Sequence, residues 1–348
     1  MPADALPYLT RGVPGCGGIF KATPEDFVVE ELPAYEASGE GEHLFLWVEK
    51  RGRSTQDVAK ALARALGVPE KDVSWAGLKD RQAVARQLLS VPAKKAEGLV
   101  PTLALPGVSV LWAKRHRNKL KAGHLKGNRF WLTLRGVKDV GAARAALDVL
   151  RRRGVPNFFG DQRFGVAGDN AEKGKAILLA GGRHRDRFER KLFLSAYQSA
   201  LFNRVLAARL EADTFTTALA GDVLKKHATG GEFVCEAPEV DQARVDAFEV
   251  SPTGPLFGPE MRSPSGAAAA LEAQVLTADG VTAELFASGG GETAGARRFL
   301  RIPLDAALQD EGGGVVRLEL TLPAGSYATV VLRELLKHGD AVADDTRG

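Results

Sequence analysis

Asp80 stands between Lys79 and Arg81 in "SWAGLKDRQAVARQLLSV", residues 74–91, and no second acid occurs in that stretch. Neighbouring cations favour the charged form of a carboxylate, and a charged carboxylate can serve as a nucleophile or a base. The bland alternative is a turn aspartate that caps backbone amides. Glycoside hydrolysis normally needs two carboxylates, so if Asp80 reacts, the chemistry is of another kind. A second feature lies between Lys114 and Arg129, where "KRHRNKLKAGHLKGNR" holds seven Lys or Arg and no acid. Such a run complements phosphates through counterion release; otherwise it is a solvated charged edge. Trp112, Phe130 and Trp131 lie alongside, and a positive track with aromatic platforms holds single-stranded or flipped bases. RNA or DNA is therefore the leading partner.

The chain has 348 residues, enough for a sizeable core and more than one compact domain usually holds, so two domains are expected. Hydrophobic residues at 45% and charged residues at 26% fit a soluble globular protein and argue against disorder. Net charge is only +4, which makes the place where bases cluster more telling than their total. Cys16 and Cys235 have no partner at CxxC spacing, and the six histidines show no HExxH pattern. That fits a reducing compartment and argues against zinc. "MPADALPYLTRGVPG" has no basic start followed by an apolar run, and no segment reaches the roughly 18 apolar residues of a membrane span. The expectation is a soluble, cytoplasmic protein with no membrane partner.

Several elements must position these groups. "FVVEE" (27–31) and "LFLWV" (44–48) read as strands joined by the Gly-rich, acidic "EASGEGEH", which suits an antiparallel hairpin or a longer loop. Ser54 as N-cap, Asp57 three residues on, Val58, Leu62 and Leu66 on one face and Gly67 at the end predict a helix. "VSWAG" and "AVARQLLSV" read as extended segments with Asp80 near the turn between them, where functional groups are commonly presented. Further strands are predicted at Val108–Trp112 and Arg129–Leu134, and a helix at about Val140–Arg152. The first 150 or so residues thus read as α+β with an antiparallel sheet. The texture changes after Val155, where "VPNFFGDQRFGVAGDN" is a loop rich in Gly and aromatics. Phe193, Tyr197, Leu201 and Val205 then mark a long helix from Asp186 to about Leu210. Pro252–Gly295, rich in Gly, Pro, Ser and Ala, reads as surface loops or short elements. "GGGVVRLELTLPAGSYATVVLRELLKHG" closes the chain as strand, turn and helix.

Seven segments, "FKATPEDFVVEELP", "GLKDRQAVARQ", "HLKGNRFWLTLRG", "VPNFFGDQRFG", "AYQSALFNRVL", "SPTGPLFGPEM" and "LPAGSYATVVLRELL", together resemble the TruD family of tRNA pseudouridine synthases, in order from Lys21 to about Leu336. The resemblance implies an α+β catalytic domain of the pseudouridine-synthase fold, with a mixed, mostly antiparallel sheet flanked by helices. A family-specific α/β domain is inserted before the last strand and helix. That places the catalytic domain at residues 1–154 and 305–348 and the insert at 155–304. It also implies that the chain isomerises a uridine in tRNA, at position 13 in bacterial members, as a monomer and with no cofactor or metal.

On the same resemblance, Asp80 matches the catalytic aspartate and Lys21 the basic residue paired with it, where the bland reading is a surface lysine. Phe130 resembles the aromatic that stacks on the target base, against ordinary strand core, and Asn128 a polar group near the nucleotide, although "GN" is equally a turn signal. Phe27 resembles a residue lining the site, against ordinary strand core, and Tyr327, where the chain returns to the catalytic domain, either approaches the flipped base or simply packs. "NFFGDQRFG", with Asn157, Phe159, Gly160, Gln162, Arg163 and Phe164, reads as a structural corner with Arg163 as an RNA contact. Uridine is joined to its sugar through N1 and pseudouridine through C5, so the uracil is both leaving group and returning nucleophile, and one acid suffices. Two alternatives remain open at this level: a non-catalytic RNA-binding protein, and a hydrolase that releases uracil.

Overall fold

A computed structural model describes residues 6–337; residues 1–5 and 338–348, which the expected catalytic domain includes, lie outside the described residues. The chain opens with β1 (Phe27–Pro33), β2 (His43–Arg51), α1 (Thr55–Ala65), β3 (Ser74–Trp75) and β4 (Val84–Pro92). A short α2 (Ala93–Ala96), β5 (Val108–His116), β6 (Leu125–Leu134) and α3 (Val140–Arg153) follow. Next come β7 (Val155–Pro156), α4 (Asn170–Leu179), α5 (Arg187–Glu211), β8 (Val223–Lys226), β9 (Glu232–Val234), α6 (Pro238–Asp246), β10 (Val250–Leu256), α7 (Gly266–Ala278), β11 (Ala296–Phe299) and β12 (Arg301–Ile302). The chain closes with β13 (Asp305–Gly312), β14 (Val315–Pro323) and α8 (Ala328–Leu336).

The larger sheet has the order β13-β14-β6-β1-β4-β2-β5, with β3 added on β4. Among the described residues only β1 and β4 pair in parallel and every other pair of this sheet is antiparallel, so the sheet is mixed, mostly antiparallel, and the fold is α+β. Of the two options for "EASGEGEH", the structure takes the longer loop: β1 and β2 do not pair, because β4 lies between them. The run Gln87–Val91 is buried residue after residue. A strand apolar on both sides belongs in the middle of a sheet, not at its edge. Helix α1 forms as its pattern dictates. Ser54 caps it by accepting from the Asp57 amide at 3.1 Å, and Gly67 leaves it at φ 62°. Val58, Leu62 and Leu66 pack on Leu44, Leu46, Leu89 and Val91, contributing roughly 1.5–3 kcal/mol for each fully buried side chain.

The smaller sheet, β11-β10-β8-β9, is antiparallel throughout. Of the two readings of Pro252–Gly295, surface loops or short elements, the structure takes the second. β10 is buried along nearly its whole length between β8 and β11, and Ala-rich α7 is a regular helix. Pro252 and Pro255 obscured the strand because proline is normally confined to sheet edges. In this strand the Pro252 carbonyl still accepts from the Leu300 amide at 3.0 Å. Two-residue β7 and β12 pair where the chain passes between the sheets. The main apolar core runs continuously from β1, β6 and α3 through Phe158, Phe159 and Phe202 to α8.

Candidate active site

Side chains alternate across a strand, so the register fixes which residues share a face. Phe130 lies opposite Val29, Val29 opposite Ala85, and Ala85 opposite Lys50, which places a lysine at the end of an apolar row on the helix-covered face. On that same face Asn128 lies opposite Glu31, and Gln87 opposite Val48. A polar seam therefore runs between the core under α3 and α8 and the core under α1. Its members hold one another and the loop that carries Asp80. Glu31 accepts from Lys79 Nζ at 2.7 Å, both side chains being buried. Thr55 Oγ1 accepts from the Lys79 amide at 2.9 Å and donates to Gln87 Oε1 at 2.8 Å, while Gln87 Nε2 donates to the Gly77 carbonyl at 3.2 Å. Gly77, Leu78 and Lys79 are thus fixed immediately before Asp80.

Asp80 reaches beyond its own loop. One carboxylate oxygen accepts from Lys21 Nζ at 2.7 Å and the other from Gln162 Nε2 at 2.9 Å, while the side chain keeps 30% of its surface open. Lys21 is held in turn by its segment: Ile19 bridges to Arg135, and buried Asp26 accepts from Arg135 through both carboxylate oxygens. Lys21 itself sits at φ 60°, a left-handed conformation costing a non-glycine residue on the order of 1 kcal/mol or more. Its ammonium lies 4.3 Å from the centre of the Phe27 ring, and Phe27 meets Phe130 edge-on at 5.9 Å. An ion pair thus rests on an aromatic floor. Phe130 is only 6% exposed and belongs to the core, so it is not a surface platform for the basic run.

The "GN" of "HLKGNRF" is not a turn: Gly127 and Asn128 lie within β6, paired on one side with β1 and on the other with β14. Gly127 is needed because a Cβ there would stand 2.3 Å from the Leu322 carbonyl oxygen. Asn128 Oδ1 is buried and has no hydrogen-bond partner among the described residues. An orphaned buried acceptor costs about 1–3 kcal/mol, an incentive for a donor from outside the chain. Tyr327 packs edge-on to Phe159 at 6.3 Å and beside Gly160, next to the segment that brings Gln162 to Asp80. Arg163 is turned toward α5, donating through Nε to Ser199 Oγ at 3.1 Å and through its other end to Ser195 Oγ. Both partners are neutral, so they do not cancel its charge. The corner is braced by Asn203, which accepts from the Phe159 amide at 2.9 Å and donates to the Phe159 carbonyl at 3.0 Å.

Three contributors escaped the sequence reading. Gln162 was legible only as part of the corner, since nothing local indicates that it reaches a carboxylate 82 residues away. Lys50 is 1% exposed and donates to the carbonyls of Arg53 and of Asp80 itself. Burial draws its ammonium down to about 8, against the pull of the Asp80 charge. Arg298 lies 4.0 Å from the Phe159 ring centre and donates to Asn157 Oδ1 and the Gly325 carbonyl, with no ion pair among the described residues. Burial draws it down to about 10. The basic run is more neutralised than its own sequence indicates, because acids arrive from other segments. Arg115 pairs with Glu97 and Arg117 with Glu40, and Lys119 donates to the Lys71 carbonyl.

An oriented, partly open carboxylate, paired with a lysine whose ammonium rests on an aromatic ring, is an arrangement suited to an enzyme site. Comparison with known proteins names the family. The model of the family "tRNA pseudouridine synthase D (TruD)" matches residues 5–182 and 186–335. A tRNA pseudouridine synthase D of Anaeromyxobacter dehalogenans is 51% identical over 98% of this chain and 99% of its own length. One of Thermus thermophilus is 43% identical over 96% of this chain and 93% of its own. A crystal structure from Methanosarcina mazei, described as a TruD-type synthase, superposes with a TM-score of 0.76 at 26% identity, over 96% of each chain. The chain belongs to the TruD family of tRNA pseudouridine synthases.

Proposed function

We propose that the chain isomerises a uridine of tRNA, uridine 13, to pseudouridine, with Asp80 as the nucleophile acting on a base flipped out of its stack. The observation that carries this reading is the Asp80 carboxylate, fixed at both oxygens by Lys21 and Gln162 and still open to a substrate. Flipping the base costs a few kcal/mol. Phe27 and Phe130, both buried, back the site from the core and support Lys21, and Asn128 Oδ1 accepts from an N–H of the uracil edge. Asp80 then either attacks C1′ or removes a sugar proton to leave a glycal. In both routes the N1–C1′ bond breaks with its electron pair going to the uracil. The ring rotates, C5 bonds to C1′, and the Asp80 oxygen or the borrowed proton is returned. C5 finally loses its proton and N1 gains one, so nothing is added overall. Lys21 and Gln162 aim the carboxylate, Lys50 holds its backbone carbonyl, and Tyr327 closes the site beside Gly160. Arg163 and Arg298 bring positive charge for the RNA.

The same reading divides the chain into a catalytic domain, residues 1–154 and 305–348, and an insert, residues 155–304. The return of β13 and β14 to the larger sheet and the narrow β7·β12 crossing support that division. The enzyme is read, on the family resemblance, as a cytoplasmic monomer; both cysteines, Cys16 and Cys235, are free and buried, and burial holds their thiols up to about 11, which keeps them unreactive. Incubation with an unmodified tRNA transcript, followed by chemical labelling of pseudouridine, tests the reading. Label at uridine 13 alone is the expected result. A shifted but unlabelled RNA would mark a binder, and released uracil a hydrolase.

A further inference from the structure

The first two turns of α5 and the loop before them form a second basic surface. Arg183, Arg185, Arg187 and Lys191 are all exposed, and Phe188 among them is 73% exposed. Nearby acids are otherwise engaged. Asp186 caps the helix by accepting from the Phe188 and Glu189 amides at 2.7 and 2.9 Å, and Glu292 is taken by Arg190. Glu189 lies 3.8 Å from His184, and Arg187 lies only within 3.9 Å of Glu292. Among the described residues Arg183, Arg185 and Lys191 have no ion-pair partner. The Asp186 side chain takes the Phe188 and Glu189 amides, so the surface offers mainly side chains: an uncovered aromatic ring amid cations. That combination stacks an unpaired base while its flanking phosphates meet positive charge.

The surface is also in line with the active site. Arg163, next to Gln162 on Asp80, reaches Ser195 and Ser199 on α5. Phe188 precedes Ser195 by seven residues, just under two turns, so it lies on the same side of the helix about 10 Å farther along. Lys191 lies between them. We propose that this surface docks tRNA nucleotides flanking the target uridine, with an unpaired base on Phe188 and phosphates on Arg183, Arg185 and Lys191. The inference rests on the tRNA reading above. Residues 183–185 fall between the two stretches matched by the family model.

The test measures tRNA affinity across a salt series for the wild type, an R183Q/R185Q/K191Q triple variant, F188A and F188Y. All four positions are exposed, so melting temperatures should coincide. The triple variant should bind more weakly, with its log–log salt slope flatter by about 2 to 3. F188A should lose roughly tenfold in affinity, and F188Y, which keeps the ring, should recover most of it. A wild type that binds and modifies tRNA, together with variants of unchanged affinity and slope, would overturn this surface alone. A wild type that neither binds nor modifies tRNA would remove the functional reading and this inference together.

Discussion

Lys50 is the residue whose role is least visible and most exposed to test. Its ammonium is buried, donates to the Asp80 carbonyl, and titrates near 8 instead of 10.5 because burial disfavours the charge. Between those two pH values the unfolded chain holds a proton that the folded chain has released. Stability should therefore rise with pH over that window, by up to about 1.4 kcal/mol per pH unit from this group, and below it the buried charge costs stability. Lys50→Met removes the titration and the donor together. Melting temperature followed from pH 7 to 10 should rise less in the variant than in the wild type. At pH 7 turnover should fall at least tenfold because Asp80 loses a backbone anchor. Parallel stability curves with unchanged turnover would show that Lys50 merely fills space.

At the scale of elements, β6 carries Asn128 and Phe130 into the site, and β14 can lie close enough to hold it only because residue 127 is glycine. Gly127→Ala should force the two strands apart, costing about 1–3 kcal/mol as overpacking does. A thermal scan should show a drop of several degrees, with modification falling further than stability because Asn128 moves; an unchanged midpoint would contradict the packing account. What was legible in the sequence follows the same division. Helix α1 and the turn at Asp80 are written in neighbouring residues: a cap, an apolar stripe, glycines. The strand order is not, because β4 takes its central place through pairings with β1 and β2 that no local pattern states. Lys50, Gln162 and Arg298 escaped for the same reason, and β10 because its prolines read as loop. The resemblance indicated Lys21, yet only the fold shows that it reaches the carboxylate with its backbone in a left-handed conformation.

For the whole molecule, the question is how an RNA lies across two sheets and finds one carboxylate. The Lys114–Arg129 run spans the end of β5, an edge strand where charged residues also guard against edge-to-edge pairing, the loop after it and the start of β6. Changing Lys119 and Lys121 to Gln should still weaken tRNA binding and flatten its salt dependence by roughly 1 per lost phosphate contact. An unchanged slope would leave the run as a solvated edge and give the RNA to the insert's surface. The central claim is that Asp80 carries the chemistry and not the fold. Asp80→Asn keeps the size and a hydrogen-bonding oxygen, so the protein should melt within about 1 kcal/mol of the wild type and bind tRNA as before, because phosphate contacts and stacking do not use the carboxylate. Pseudouridine formation measured on that folded, tRNA-bound variant should fall by on the order of a thousandfold or more; formation at a near wild-type rate would contradict the account.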